Sequence, residues 1–415
     1  MNTPGRAPVG GRQREALVDA VRLRLAEAGA QPGTTEVAAA LRAQGHPYGS
    51  TEVLELVRQL RSEMVGAGPL DPLLADPAVT DVLVNGPDEV WLDRGGGLER
   101  VPGVHFADRQ AVRRLAQRLA TAAGRRLDDA RPWTDARLPD GTRLHAVLPP
   151  VAVGCTHISL RVSRAQPFTL PELVRSGALP EQGAVLLRAM VRSRLSYVVS
   201  GGTGTGKTTL LAALLGLVGP GERLVVVEDS AELRPDHPHV VRLEGRPANQ
   251  EGAGAVELRE LVRQALRMRP DRLVIGEVRG AEVVDFLAAL NTGHEGGCGT
   301  VHANAAADVP ARLEALASSA GLDRASLHSQ LAAALDAVVH LTRDSTGLRR
   351  VAEVRLLRRA ADGLVDTEPA VRFTAGGELC PGSGWGRLAA MCGRRDRPNG
   401  RQGRPGLPEL PELSG

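Results

Sequence analysis

Residues Ser200 to Leu210 read SGGTGTGKTTL, entered by the apolar β-like run Leu195 to Ser200 (LSYVVS) and followed by the helix-like run LLAALL. Gly201 to Thr208 fit the pattern GxxxxGK[ST], and a strand before with a helix after is the context that makes this pattern a phosphate-binding loop. Glycines let backbone amides close around phosphate oxygens without a Cβ in the way, and the following helix adds its positive dipole end. On this reading Gly201, Gly202, Thr203, Gly204, Thr205, Gly206, Lys207, Thr208 and Thr209 form the cradle. Lys207 reaches the β- and γ-phosphates and Thr208 holds Mg²⁺, so ATP and Mg²⁺ are the expected cofactors. Lys207 is also the chain's only lysine, every other one of its 51 Lys and Arg side chains being arginine. Drift in an arginine-biased genome could leave one lysine anywhere. This position supplies a physical reason, because arginine's flat fork fits the cradle poorly.

Downstream of the loop, strand and helix patterns alternate: Arg223 to Glu228, a helix Val256 to Met268, Arg272 to Gly276, a helix Ala281 to Asn291. Two further helices, about Ala307 to Ser319 and Asp323 to Ala337, and strands near Val338 to Thr342 and Val351 to Leu356 complete the set. The alternation indicates an α/β domain, a RecA-like P-loop NTPase domain with a mostly parallel sheet wrapped by helices. Upstream lie short β-like runs, TDVLVN, EVWLD, RLHAVLP and HISLRV, interrupted by one helical segment, Arg109 to Ala123, which together read as a smaller α+β domain. Before them the apolar spacing from Arg14 to Met64 is helical and broken by glycine and proline into about three helices. The expected organisation is a disordered arm at 1–12, a helical region at 13–65, an α+β domain at 66–162, a linker at 163–171, the ATPase domain at 172–375 and a disordered tail at 376–415.

Composition narrows the partners only a little. The 415 residues are 42% apolar, enough for more than one core, and the formal charge of +3 selects no partner. Aromatic content of 2% leaves few stacking platforms for single-stranded nucleic acid. Four scattered cysteines and the absence of an apolar leader at the start favour a reducing cytoplasm. The most apolar stretch, Leu210 to Gly219, is shorter than the roughly 20 residues of a membrane-spanning helix, so any membrane contact is expected to be peripheral.

Three further clusters carry chemistry. Glu228, Asp229 and Glu232 follow a strand in VVVEDSAEL, the end at which open α/β sheets hold ligands. They could polarise an attacking water or hold it through Mg²⁺; alone, they could equally cap a surface loop. RLVIGEV ends in Glu277 at the Walker B position, with Gly276 where many P-loop enzymes carry a magnesium-binding aspartate. Glu277 is a candidate to position water or metal, a structural carboxylate being the alternative, so the candidate metal ligands are Thr208, Asp229 and Glu277. NTGHEGGCGTVHAN holds His294 and His302 without a third zinc ligand at convincing spacing, and a γ-phosphate sensor is the better reading of the pair.

In this order the P-loop, the acidic box, the Gly-Glu Walker B and the histidine box resemble the type II/IV secretion-system ATPase superfamily. The flanking stretches GPLDPLLADPAVTDVLVNGPDEVW, DARLPDGTRLHAVLPP, PHVVRLEGR, LRMRPDRLVIGEVRGAE and NTGHEGG resemble its TadA (CpaF) branch, the Tad/Flp pilus-assembly ATPases, over about Gly68 to Leu316. The resemblance implies a homohexameric ring at the cytoplasmic face of the inner membrane, working with polytopic pilus or secretion proteins, with nucleotide held between N- and C-terminal domains. It implies catalytic roles for Lys207, Glu228, Glu232, Glu277 and His302, and N-terminal arginines that complete the site, for which Arg137, Arg143 and Arg161 are the matching candidates. Those arginines could instead pair with surface carboxylates. Cys298 is given no role. Two other readings stand beside it: a RecA-like nucleic-acid motor or conjugal-transfer ATPase, and a nucleotide-gated scaffold that binds ATP but barely turns it over.

Overall fold

A computed structural model of the chain describes residues 11–394 apart from 29–31, 44–48, 65, 163–166, 247–252, 345–346 and 375. The chain divides into two compact units between residues 164 and 165, within the expected linker.

In the first unit, α1 (Gly11–Glu27), α2 (Thr34–Ala43) and α3 (Ser50–Met64) form the three expected helices. Their apolar residues recur at three- and four-residue intervals, and Val18, Val21, Leu25, Val37, Leu41, Leu56, Val57 and Leu60 bury one another in a small core. Residues 1–10 of the expected disordered arm lie outside the described residues; Gly11 and Arg12 already belong to α1.

After α4 (Asp71–Leu74) come β1 (Asp81–Gly86), β2 (Glu89–Asp93), β3 (Leu98–Arg100), α5 (Arg109–Ala122), β4 (Trp133–Arg137), β5 (Arg143–Val147) and β6 (His157–Arg161). The strands make one antiparallel sheet, in the order β3-β2-β1-β6-β5-β4. Alternate residues (Val82, Val84, Leu144, Ala146, Ile158, Leu160) pack with Val112, Leu115 and Leu119 of α5. The period of two turns the alternate set to the other face, where Asp81, Arg143 and Arg161 stand with the exposed Trp133.

The second unit is built on a nine-stranded sheet. Its elements are α6 (Leu170–Arg175), α7 (Glu181–Arg192), β7 (Tyr197–Gly201), α8 (Lys207–Leu215), β8 (Leu224–Glu228), β9 (Val240–Glu244), α9 (Leu258–Leu266), β10 (Arg272–Val278), α10 (Glu282–Asn291), β11 (Cys298–His302), α11 (Val309–Ser319), α12 (Arg324–Ala334), β12 (Ala337–Arg343), β13 (Arg349–Arg359), β14 (Val365–Phe373), β15 (Leu379–Pro381) and α13 (Trp385–Arg394). The strand order is β15-β14-β13-β12-β7-β11-β10-β8-β9. From β12 to β9 all neighbours are parallel, while β13, β14 and β15 join antiparallel. The parallel core is the RecA-like arrangement, with one strand, β11, between the P-loop strand and the Walker B strand. Because both faces are covered, the central strands are continuous apolar runs: Leu224 to Val227 and Leu273 to Ile275 are all fully buried. Residues of α6, α7, α8 and α13 pack on one face, and residues of α9 to α12 on the other.

Two boundaries differ from expectation. Pro171, read as part of a linker, sits in the first turn of α6, where Thr169 and Glu172 form a capping box; proline's missing amide is harmless there. The tail expected to be disordered from residue 376 instead contributes β15 and α13. Trp385, Leu388, Met391 and Cys392 lie on one side of α13, and Leu388 and Cys392 are buried in the core. Residues 395–415 lie outside the described residues.

Candidate active site

The phosphate loop leaves the C-terminal end of β7 and closes onto α8. Gly201 has φ 151°, and a Cβ there would stand 2.6 Å from Leu341 O and 2.7 Å from Thr205 Oγ1, so only glycine fits. Thr205 Oγ1 donates to Gly202 O at 2.9 Å, fixing the turn. Lys207 is 7% exposed, and its ammonium donates to Gly201 O at 3.0 Å and Gly202 O at 2.8 Å. At 3.3 Å it also meets His302 Nε2.

His302 ends β11, and parallel pairing sets it level with Gly201. Its Nε2 lies 2.9 Å from Glu277 Oε1. One nitrogen therefore faces a cation and a carboxylate: protonated there it donates to Glu277, and in the other tautomer it accepts from Lys207. Burial and the Lys207 charge hold the imidazole pKa below its usual value, with Glu277 opposing in part.

Glu277 is aimed by an irregularity in its strand. Between the pairs Ile275↔Gly299 and Val278↔Val301, β10 carries one residue more than β11. This is a bulge, which re-aims side chains beside functional sites. The Gly276 carbonyl accepts from the Thr300 hydroxyl at 2.6 Å.

Gly276 has a steric reason of its own. A Cβ there would lie 2.5 Å from Glu228 Cγ and 2.9 Å from its Oε1. Glu228, at the end of β8, thus occupies the space that a side chain at 276 would need. Its Oε1 accepts from Glu232 N at 3.1 Å and Leu233 N at 3.0 Å, and its Oε2 is buried without a partner among the described residues. Burial pushes the Glu228 pKa up to about 7 from an ordinary 4.5, against the two backbone hydrogen bonds.

A raised carboxyl pKa means that the unfolded chain ionises first as pH rises. Stability is then lost progressively between about pH 4.5 and 7, by about 3 kcal/mol in all. In urea unfolding, Glu228→Gln is expected to flatten this dependence: its difference in stability between pH 5 and pH 8 should be about 2–3 kcal/mol smaller than that of the parent. Any fixed cost of the amide cancels in that difference. Parallel pH profiles in the two proteins would contradict the assignment.

The other expected residues are dispersed. Asp229 bonds Arg279 at 2.5 Å, and burial raises its pKa while Arg279 lowers it. Because β8 stands three strands from β7, Asp229 is roughly 14 Å along the sheet from the P-loop strand. The structure therefore does not gather Thr208, Asp229 and Glu277 into one ligand set, and among the described residues no three His, Cys, Asp or Glu side chains form a metal cluster. Mg²⁺ keeps several waters and takes one or two protein oxygens plus phosphates. Thr208, in the first turn of α8, is the hydroxyl that would hold it. Glu232 is exposed and joins the site through its backbone amide.

His294, expected at the nucleotide, is not brought to it. It precedes β11, whose Cys298 pairs with Tyr197 at the far end of the sheet from His302, a separation of roughly 13 Å over those four residues. Its Nδ1 bonds Ala289 O at the C-terminus of α10 at 3.1 Å, the role of a helix cap. Cys298 is buried beside Tyr197, and burial lifts its thiol to about 11.

In the N-terminal unit, Arg137, Arg143 and Arg161 are direct neighbours on adjacent strands, followed in the same row by Asp81 and Asp93. Arg143 pairs with Asp135 at 3.2 Å. Three like charges side by side are unfavourable by themselves.

One buried pair was not anticipated. His340 on β12 stands beside Ser200 on β7, with Nδ1 and Oγ 2.8 Å apart, and both residues are buried. Burial lowers the imidazole pKa, offset by Glu353 and by a hydrogen bond to the Asn304 backbone. His340 thus links the strand that launches the P-loop to the segment after His302. The available signal was a lone polar residue in the otherwise apolar run AVVHL.

No described helix is long and apolar enough to cross a membrane. A family model described as type II/IV secretion system protein matches residues 63–380. A Mycobacterium tuberculosis protein carrying a provisional conjugal-transfer name is 60% identical over 318 residues, which cover 75% of this chain and 90% of that one. The Sinorhizobium fredii conjugal transfer protein TrbB is 32% identical over 318 residues, covering 75% and 93%. Among solved structures, the VirB11 ATPase of the Brucella suis type IV secretion system is similar at 29% identity and TM-score 0.37, covering 69% of this chain and 92% of that one. With the family model spanning the α+β sheet, the P-loop, both acidic strand ends and the histidine segment, the chain belongs to the type II/IV secretion system protein family.

Proposed function

We propose that the protein is a Mg²⁺-dependent ATP hydrolase that works as a homohexamer at the cytoplasmic face of the inner membrane and powers assembly of a Tad/Flp-type pilus. The observation that carries the enzymology is the chain of contacts Lys207–His302–Glu277, which ties the phosphate loop to a carboxylate through one imidazole nitrogen. Lys207, the loop amides and Thr208 would hold the triphosphate and its metal, which when bound neutralises charge on the phosphates. Glu277 takes the position of the residue that orients or deprotonates the attacking water. His302 follows the state of the terminal phosphate, since a lysine engaged by phosphate leaves Nε2 to Glu277. Glu228, with an unpartnered buried oxygen, is the second proton-accepting candidate. From the sequence resemblance, Arg137, Arg143 and Arg161, which stand side by side on adjacent strands, are the candidates to meet phosphate in an assembled ring.

Phosphate release by the full chain with ATP and Mg²⁺ tests the enzymology: Glu277→Gln is expected to lower turnover about 10²-fold or more, and equal turnover in the two proteins refutes it. The pilus rests on the sequence resemblance. The conjugal-transfer names of the M. tuberculosis and S. fredii relatives favour a second reading, a conjugal-transfer ATPase. Deleting the gene in its host decides between them, by whether surface filaments or DNA transfer is lost.

A further inference from the structure

We infer that Arg349 is a nucleotide-binding residue of the P-loop, donating to the phosphates that ATP and ADP share; this rests on the reading of the loop as a nucleotide site. Arg349 opens β13, which reaches the loop through β12. Leu341 of β12 pairs with Gly201 on one side and Val351 on the other, and Arg343 pairs with Arg349. Arg349 therefore lies two residues past the level of Gly201, where the chain of β7 has already become the phosphate loop. Its Cδ is 3.7 Å from the position of a Cβ on Gly206, the residue directly before Lys207. Gly206 has φ 93° and caps α8, whose first amides face any bound anion.

The guanidinium at this place lacks the partners that other arginines of this edge have. Arg350 pairs with Asp344 at 3.4 Å, Arg343 donates to Gly347 O at 3.1 Å, and Arg355 donates to Thr367 Oγ1 at 2.8 Å and O at 2.8 Å. Arg349 Nε is buried and has no acceptor among the described residues; Arg350 Nε is likewise without one, but its guanidinium keeps the ion pair with Asp344. A buried donor of a permanent cation without an acceptor is costly. An oxygen anion in the adjoining cradle would supply one.

The side of approach decides which phosphates. Glu277 and Glu228 stand on β10 and β8, beyond β11, on one flank of the P-loop strand; Arg349 stands on the opposite flank, beyond β12. Hydrolytic groups on the β11 side place the terminal phosphate there, so the nucleoside-proximal phosphates run toward β12 and β13. Arg349 thus serves binding and not the cleavage step, which separates it from an arginine that meets the terminal phosphate.

Arg349→Met keeps an unbranched apolar stem against Gly206 and removes the guanidinium. Titration calorimetry on the full chain with ADP, and with the non-hydrolysable β,γ-imido analogue of ATP, is expected to show both weakened about tenfold or more and by the same factor. Turnover at saturating ATP should stay within about threefold of the parent, the loss appearing in KM. Arg349→Lys should restore part of the affinity, and thermal melting of Arg349→Met without nucleotide should not fall below that of the parent, since an unpartnered buried donor has been removed. Affinities within twofold of the parent overturn the assignment, as does weakening of the ATP analogue alone. Lys207→Ala runs beside it: if that variant also binds as the parent does, the nucleotide reading has failed, whereas if it alone loses binding, only the role of Arg349 has.

Discussion

Gly276→Asp, which would restore the acidic residue usual at the end of a Walker B strand, is expected to destabilise the second unit rather than improve its metal site. A Cβ at 276 would stand 2.5 Å from Glu228 Cγ, 2.9 Å from Oε1 and 3.1 Å from Cδ, all of one side chain packed between strands. Strand β10 lies between β11 and β8, so neither it nor Glu228 has room to retreat. The substitution adds overpacking to a second carboxylate placed against one already driven toward its neutral form. Overpacking alone costs about 1–3 kcal/mol, and a buried unpaired charge adds a similar amount or more. A loss of about 4 kcal/mol lowers the melting temperature by about 10 °C in a domain of this size, and scanning calorimetry reads it directly. Combining Gly276→Asp with Glu228→Ala should recover most of that stability without recovering turnover. A single variant that melts within a few degrees of the parent would show that Glu228 has another place to go.

The second large effect is at Lys207. Lys207→Ala is expected to lower ATP turnover about 10²-fold or more, the scale of removing one preorganised donor from a developing anion. The conservative variant is more informative. Lys207 Nζ donates to Gly201 O and Gly202 O and stands 3.3 Å from His302 Nε2, which accepts from the third N–H in the tautomer that leaves that nitrogen unprotonated. A planar guanidinium cannot address three points around one atom and is too long to be clasped there. Lys207→Arg is therefore expected to fail nearly as badly as Lys207→Ala in a phosphate-release assay, with circular dichroism unchanged. Near-normal hydrolysis in that variant would make the lone lysine an accident of composition.

Much of this was legible because the relevant signals are local. The P-loop needs glycine, lysine and threonine at fixed offsets between a strand and a helix, and SGGTGTGKTTL carries all of them. The three helices before residue 65 announce themselves by apolar spacing, which depends only on neighbours three and four residues away. The interlock of Gly276 with Glu228 was not legible, since it depends on two strands lying side by side in a particular register, 48 residues apart in sequence by the numbering. An aspartate-less Walker B strand looked like a departure from pattern; in the fold it is the space that another strand's glutamate fills.

His294 failed for a related reason. Proximity in sequence to His302 suggested a shared task, but a five-residue strand separates the two and carries them to opposite ends of the sheet. Helix α13 was hidden by composition: glycine, proline and arginine around it suppressed the weaker spacing of Trp385, Leu388 and Cys392, which a period-based reading alone would have kept.

The clasped lysine has a practical corollary. A chain with a single side-chain amine offers acylating reagents one side-chain address, and here that address is the floor of the phosphate cradle. Covalent modification followed by peptide-level mass measurement becomes a footprint of the loop itself, with the α-amino group as the one other amine to tell apart. Protection of that one amine by a candidate ligand would report occupancy in an unmodified protein, even within a crude membrane fraction.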